Sequence, residues 1–264
     1  MKAFVKRLLI KAGFDVRRVQ VAAVSLDESP DITEYRSALD LVRKNTMVPD
    51  SGLESLYDQV RYCEEAEIDG ALVECGVWKG GSVGMMALAN LRWGKKRRQL
   101  HLFDSFKSIC EPDARVDGER ALREVRQFSP DGGTTGQLRP LDGFYDSMGG
   151  PGSVEEVSNL LEEKIGYPKL STRIHIGWFQ DTLPLVARDI GAIALLRLDG
   201  DWYASTKICL EHLAAKVVTG GIVVIDDYGT YDGCRKAVDE YLQSFSRKPY
   251  LHRVADDIRY WIVA

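Results

Sequence analysis

AIALLRLDGDWYASTKICLEHLAAKVVTGGIVVIDDY, residues 192–228, contains two nearly all-apolar runs, each closing on acidic residues, with a helical pattern between them. A strand buried on both faces reads as a continuous apolar run, and its parallel neighbour must be reached through a crossover helix. The stretch therefore reads as strand AIALLRLDGD, helix STKICLEHLAAKVVTGG ending on glycines, and strand GIVVIDDY. The same alternation extends upstream. Residues 52–68 read as a helix (Leu53, Leu56, Tyr57, Val60, Cys63), ALVECGV as a strand, SVGMMALANLRW as a helix opening after Gly80-Gly81, then LHLFDSF and TRIHIG as strands. Downstream, GCRKAVDEYLQSF is a helix. Such alternation predicts an α/β domain with a mostly parallel sheet covered on both faces. The tail breaks the pattern, because LHRVA and IRYWIVA flank Asp256-Asp257 and read as a β-hairpin. Seven strands are thus expected, the last two antiparallel.

The rest of the chain bounds the function. Over 264 residues, 35 Lys+Arg face 39 Asp+Glu, and 45% of residues are hydrophobic. This is ordinary globular usage, with enough apolar material for a full core and no basic excess that would call for a nucleic-acid partner. No apolar run approaches the roughly 20 residues needed to span a bilayer. The opening MKAFVKRLLIKAGFDVRRV is charged throughout, unlike a secretory signal. Five scattered cysteines without a CxxC pair suit reduced thiols in a cytoplasm, and four isolated histidines offer no zinc-ligand spacing. Residues 1–18 can form a basic amphipathic helix, packing on its own domain or on a second subunit, or else touching an anionic membrane surface weakly. The first 51 residues read as an N-terminal helical, substrate-covering segment, and 52–264 as the main domain. Arg92, Lys95, Lys96, Arg97 and Arg98 read as a solvated helix-to-strand connection. Residues 107–152 carry Gly118, Gly132, Gly133, Gly136, Gly143, Gly149, Gly150 and Gly152 with Pro112, Pro130, Pro140 and Pro151. A long Gly/Pro-rich insertion after the second strand, where ligands collect, reads as a lid over about 107–168.

Three constellations carry chemistry. The turn Glu74-Cys-Gly76-Val77-Trp-Lys-Gly80-Gly81-Ser82 joins a strand to a helix; its glycines let a ligand approach the backbone, and the helix start near Ser82 offers free N–H groups. The order is GxxxGG rather than the dinucleotide GxGxxG, and the acid two residues before the first glycine would repel a pyrophosphate but suit an amino group. Asp104 closes the next strand, where a carboxylate can accept both hydroxyls of a ribose or cap the segment through Ser105 or Phe106. Finally, Asp199 and Asp201 close one strand and Asp226 and Asp227 the next. If these strands are neighbours, the four carboxylates converge on one rim, a costly arrangement unless a cation neutralises them. Oxygen-only ligands favour a hard ion, Mg²⁺ first, with Ca²⁺ or Mn²⁺ as substitutes.

ALVECGVWKGGS, LHLFDSF, GWFQDTLP, LLRLDGDWYAST and GGIVVIDDYGTYDGCRKAVDEY together resemble the macrocin O-methyltransferase (TylF-type) family over roughly residues 25–264. The resemblance implies a Rossmann-like class I methyltransferase fold, S-adenosylmethionine, Mg²⁺, a sugar hydroxyl as acceptor and commonly a homodimer. It assigns the metal to Asp199, Asp226 and Asp227 and the general base to Asp201. It places Glu74, Gly76, Val77, Ser82, Asp104, Ser105 and Asp199 around the methionine and ribose, and Trp178, Phe179 and Asp181 near the adenine. The start KRLLIKAGFDVRRV is more like methyltransferases of bacterial surface glycans than antibiotic enzymes, so a polysaccharide, glycolipid or nucleotide-linked sugar stands beside a natural product as acceptor. A nicotinamide-linked oxidoreductase and a non-catalytic homologue that keeps the nucleoside pocket are the competing readings.

Overall fold

The apolar runs become strands β1 (Ala71–Cys75), β2 (Leu100–Asp104), β3 (Thr172–Ile176), β4 (Ile193–Leu198), β5 (Val217–Ile225), β6 (His252–Arg253) and β7 (Arg259–Ile262). They form one sheet in the order β3-β2-β1-β4-β5-β7-β6 in a computed structural model that describes residues 30–129 and 134–264. β1 to β5 pair in parallel, and β7 runs antiparallel to both β5 and β6. From β1 the chain moves outward to β2 and β3, then returns to lay β4 on the other side of β1. The carboxyl ends of β1 and β4 therefore flank the point where strand order reverses, the usual ligand crevice of an open α/β sheet.

The helices are α1 (Pro30–Val42), α2 (Asp50–Glu65), α3 (Gly81–Trp93), α4 (Gly118–Val125), α5 (Val154–Ser158, continued by a π-helical stretch, Asn159–Ile165), α6 (Phe179–Val186), α7 (Tyr203–Leu213) and α8 (Asp232–Gln243). In α2, Leu53, Leu56, Tyr57, Val60 and Cys63 are buried at helical spacing, the stripe that turns toward the sheet. Strand side chains alternate between two cores. Val73, Leu196 and Val223 pack with Leu183, Leu210 and Val238 on one face. Leu72, Leu195 and Val224 pack with Val60, Met85 and Leu161 on the other. Each such side chain contributes about 1.5–3 kcal/mol of burial, and together they hold β1 and β4 rigid beneath the rim.

Several boundaries differ from the sequence expectation. The crossover helix does not run to the glycines: α7 stops at Leu213, and Val217, Val218 and Thr219 already belong to β5. Three consecutive β-branched residues favour the extended chain. Gly220 there adopts φ +83° and the pairing with β4 shifts register, so the glycines serve a bulge inside the strand. The hairpin is present but shorter than its apolar pattern. Residues 107–168 are not one loop. Ala121 and Val125 of α4 are buried, and Val157, Leu160 and Leu161 of α5 pack as core. Arg98, expected in solvent, is largely buried; its guanidinium donates to the carbonyls of Gly70 and Ile68 and pairs with Glu64. No helix among the described residues is long and apolar enough to cross a membrane. The basic amphipathic helix expected over residues 1–18 lies outside the described residues.

Candidate active site

At the carboxyl ends of β1, β2 and β4 lies a cavity of about 190 Å³. Gly76, Asp104, Ser105, Trp178, Phe179, Asp199 and Asp201 line it from the sheet side. Gly76 is there because nothing larger fits: its φ is +89°, and a Cβ would sit 1.7 Å from the Asp199 carbonyl oxygen. The first glycine of the turn thus lets the ends of β1 and β4 touch, as the Asp199 N–H bond to the Cys75 carbonyl also requires.

The predicted convergence of acids is present. Asp199, Asp226 and Asp227 each bring a carboxylate oxygen within 4.8 Å of the others. Asp201 adjoins them, its backbone N–H donating to Asp227 Oδ2 at 3.1 Å. Its φ of +58° is uncommon for a residue with a side chain, a strain held by the surrounding contacts. Burial, followed by mutual repulsion, pushes the carboxyls of Asp201 and Asp227 well above the ordinary range. Asp226 is pushed up to about 7 by burial against the opposing pull of Arg197.

Arg197 is the residue the sequence reading missed. Its side chain is 3% exposed, and it donates through Nη1 to Glu74 Oε1 at 2.8 Å and through Nη2 to Asp226 Oδ1 at 2.6 Å. Nη2 also lies 3.0 Å from Asp199 Oδ2. One signal pointed to it: a lone arginine inside an otherwise apolar buried strand must find carboxylates. The expected cation requirement is therefore met in part by the chain itself, yet Glu74, Asp199 and Asp226 share one guanidinium while Asp201 and Asp227 crowd beside them. Glu74 is fully buried as the cross-strand partner of Arg197 and absent from the cavity lining; its carboxyl is raised to about 8 by burial, and its Oε2 has no hydrogen-bond partner.

Asp104 lines the cavity and also caps the neighbouring backbone. Its Oδ2 accepts the N–H groups of Val77 at 2.7 Å and Trp78 at 2.9 Å, and its Oδ1 accepts that of Phe106 at 2.7 Å. A carboxylate offers about four lone-pair sites, so these three bonds leave about one acceptor site, on Oδ1. Val77 is buried and contributes its N–H to Asp104 rather than to the cavity. Ser82, in the first turn of α3, is buried away from it. Trp178 and Phe179 line the cavity, whereas Asp181 is exposed on α6 and does not.

The insertion supplies the opposite wall through Cys110, Asp117, Leu138 and Tyr145. It is stapled at both ends. Near its start, Trp202 Nε1 donates to the Cys110 carbonyl at 2.9 Å, and Asp117 accepts the Tyr203 N–H at 2.7 Å. Near its end, Lys79 Nζ donates to the carbonyls of Met148 and Gly149, both at 2.9 Å, and Trp78 Nε1 to that of Gly150 at 2.9 Å. Tyr145 stands between, its ring tilted over Trp78 at 6.4 Å, and its phenol is pushed up by burial and by Asp201 and Asp199.

A seven-stranded sheet of this order, with a cavity and acids at the carboxyl rim, defines a class I O-methyltransferase. The solved O-methyltransferase NovP superimposes with a TM-score of 0.66 at 32% identity, covering 83% of this chain and 82% of that one. The calicheamicin methyltransferase CalS11 shares the fold, with a TM-score of 0.55 at 19% identity over 94% of this chain and 99% of that one. The chain belongs to the macrocin-O-methyltransferase (TylF) family, whose sequence model matches residues 5–130 and 153–262. It is 35% identical over 201 residues to the 8-demethyl-8-(2,3-dimethoxy-alpha-L-rhamnosyl)-tetracenomycin-C 4'-O-methyltransferase of Streptomyces olivaceus, covering 75% of this chain and 67% of that protein. It is 33% identical to the demethyldecarbamoylnovobiocin O-methyltransferase of Streptomyces niveus, covering 82% of this chain and 75% of that protein.

Proposed function

We propose that this O-methyltransferase moves the methyl group of S-adenosylmethionine to a hydroxyl of a sugar, with Asp201 as general base and a divalent cation held by Asp199, Asp226 and Asp227. The observation that carries the reading is the convergence of these four carboxylates beside the cavity at the ends of β4 and β5. The donor set suits the ion: all ligands are hard oxygens, and their burial is opposed by too little positive charge within the protein. The cavity suits the cofactor through the close backbone approach at Gly76, the remaining acceptor site of Asp104, Ser105 and the flat faces of Trp178 and Phe179. When bound, the sulfonium supplies an electrophilic methyl group and the ion makes a coordinated hydroxyl more acidic.

The chain's own residues do the rest. Asp201 lies in the cavity wall, and burial among other carboxylates raises its basicity, as suits a group that takes a hydroxyl proton while the oxygen attacks. The contacts of Asp201 N–H with Asp227, of Trp202 with Cys110 and of Tyr203 with Asp117 hold that carboxylate in position, which matters because misplacement of reacting atoms by about 1 Å can cost about a hundredfold in rate. The insertion wall covers the acceptor and excludes water. The acceptor sugar belongs to a glycosylated natural product or a bacterial surface glycan, and the enzyme works as a homodimer.

Calorimetry with S-adenosylhomocysteine and Mg²⁺, followed by mass spectrometry for the gain of one methyl group on methyl rhamnoside and nucleotide-linked rhamnose, tests the reading. Binding of both ligands and methylation of a sugar support it. Failure of both ligands to bind overturns it.

A further inference from the structure

The acidic cluster has a property that its composition does not convey: in each of its three carboxylates one oxygen is already engaged by a protein donor. Asp226 Oδ1 accepts from Arg197 Nη2 at 2.6 Å, Asp199 Oδ2 faces the same nitrogen at 3.0 Å, and Asp227 Oδ2 accepts the Asp201 N–H at 3.1 Å. The other oxygen of each has no protein partner among the described residues, and Asp227 is only 8% exposed. Arg197 has no freedom to release its hold. Its side chain is 3% exposed, its other nitrogen is paired with the fully buried Glu74, and a guanidinium is not deprotonated in proteins.

We propose that Arg197 is a positioning residue that disfavours two-oxygen ligation by Asp199 and Asp226 and thereby favours a small cation, Mg²⁺ or Mn²⁺, over Ca²⁺; this rests on the cation reading above. A carboxylate oxygen that already faces a guanidinium keeps one acceptor site but gives up part of its charge to the arginine, so symmetrical closure of both oxygens on an ion is disfavoured. Ca²⁺ takes about six to eight oxygens and commonly uses two-oxygen carboxylates, whereas Mg²⁺ is satisfied by single oxygens and retained waters. The fork of the arginine matters as much as its charge, since one Nη2 spans Asp199 and Asp226 while Nη1 is anchored on Glu74. A lysine ammonium is a point charge on a flexible stem and does not reproduce this.

The test titrates the whole protein, saturated with S-adenosylhomocysteine, with MgCl₂, MnCl₂ and CaCl₂ separately by calorimetry, comparing wild type with Arg197→Lys and Arg197→Met. Wild type is expected to bind Mg²⁺ or Mn²⁺ at least about tenfold more tightly than Ca²⁺, and both variants to narrow that gap by about tenfold as the freed oxygens become available. The lysine variant separates denticity from charge. Infrared carboxylate bands of the wild type loaded with Mg²⁺ are expected to show the wide splitting of one-oxygen ligation, a readout that stands even where the variants fail to fold. Wild type binding Ca²⁺ as tightly as Mg²⁺, an unchanged ion preference in folded variants, or the narrow splitting of two-oxygen ligation would overturn the role of Arg197 while leaving the cation site intact. Absence of binding by any of the three ions would remove both.

Discussion

Replacing Asp117 with alanine tests whether the insertion supports the catalytic loop or merely lies against it. The carboxylate is 2% exposed and accepts the N–H of Tyr203, the first residue of α7, at 2.7 Å, and that of Asp113 at 2.6 Å. The first four N–H groups of a helix have no partner within it, so Asp117 caps α7 from 86 residues away in sequence. Loss of a capping side chain costs about 0.5–2 kcal/mol, and each buried N–H left without an acceptor costs about 1–3 kcal/mol. Part of this is offset because burial pushes the Asp117 carboxyl up against the pull of its two N–H donors, so its removal relieves a desolvation cost. The net expectation is about 2 kcal/mol, or a fall in Tm of about 4–8 °C for a chain of this size. Asp117→Asn, which keeps one acceptor but turns an amide donor toward the second N–H, should fall between. Urea unfolding gives the free energy, and turnover gives the effect on the adjoining Asp201 turn. A folded Asp117→Ala variant within about 0.5 kcal/mol of wild type would refute the assignment of this contact as a cap.

Other expectations follow from the same geometry. Asp201→Asn should lower methyl transfer by about 10²–10⁴-fold while leaving S-adenosylhomocysteine affinity within about twofold, because the backbone N–H bond to Asp227 is unaffected; unchanged turnover would remove Asp201 as the base. Gly76→Ala should destabilise the protein by more than about 3 kcal/mol or abolish soluble expression, since its Cβ would lie 1.7 Å from the Asp199 carbonyl oxygen; a variant as stable as wild type would contradict the close strand approach. Stability should also depend on pH in a defined direction. Glu74 at about 8 and Asp226 at about 7 hold protons in the folded state that the unfolded chain releases above about pH 4. Cation-free protein should therefore melt at a lower temperature near about pH 8 than near about pH 5.5, and Mg²⁺ should raise Tm more at the higher pH because its ligands must be ionised. A cation-free Tm that rises across this window would refute it.

Strand positions were legible because strands buried on both faces must be apolar throughout, and the rim acids stand out where such runs end. The start of β5 was not, since no glycine or proline separates the helical pattern from Val217 and the helix passes into the strand through one short turn, Ala214–Lys216. The pairing of Glu74 was hidden for a different reason. Its partner Arg197 is 123 residues away and becomes its neighbour only through the pairing of β1 with β4. Spacing along the chain shows that an acid precedes the glycine turn but not which way its side chain points, and alternation within β1 sends it to the buried sheet face shared with Leu72 and Arg197. Asp104 shows the reverse. Its end-of-strand position indicated a ligand role, while the three backbone donors that limit it come from a loop conformation that no periodicity encodes.

The double anchoring of the insertion has an evolutionary consequence. Many of its fixed points are made through backbone groups on the insertion side, the carbonyls of Cys110, Met148, Gly149 and Gly150, together with the side chains of Asp117 and of Glu124, which accepts from the Tyr231 hydroxyl. Substitutions between these points can reshape the wall that faces the acceptor without removing an attachment or disturbing the carboxylates beneath. The family model passes over residues 131–152 within this span, where Leu138 and Tyr145 face the cavity. The fold thus confines inherited chemistry to the sheet rim and leaves a tethered strip free to diversify, so new acceptors can be acquired without rebuilding the reaction.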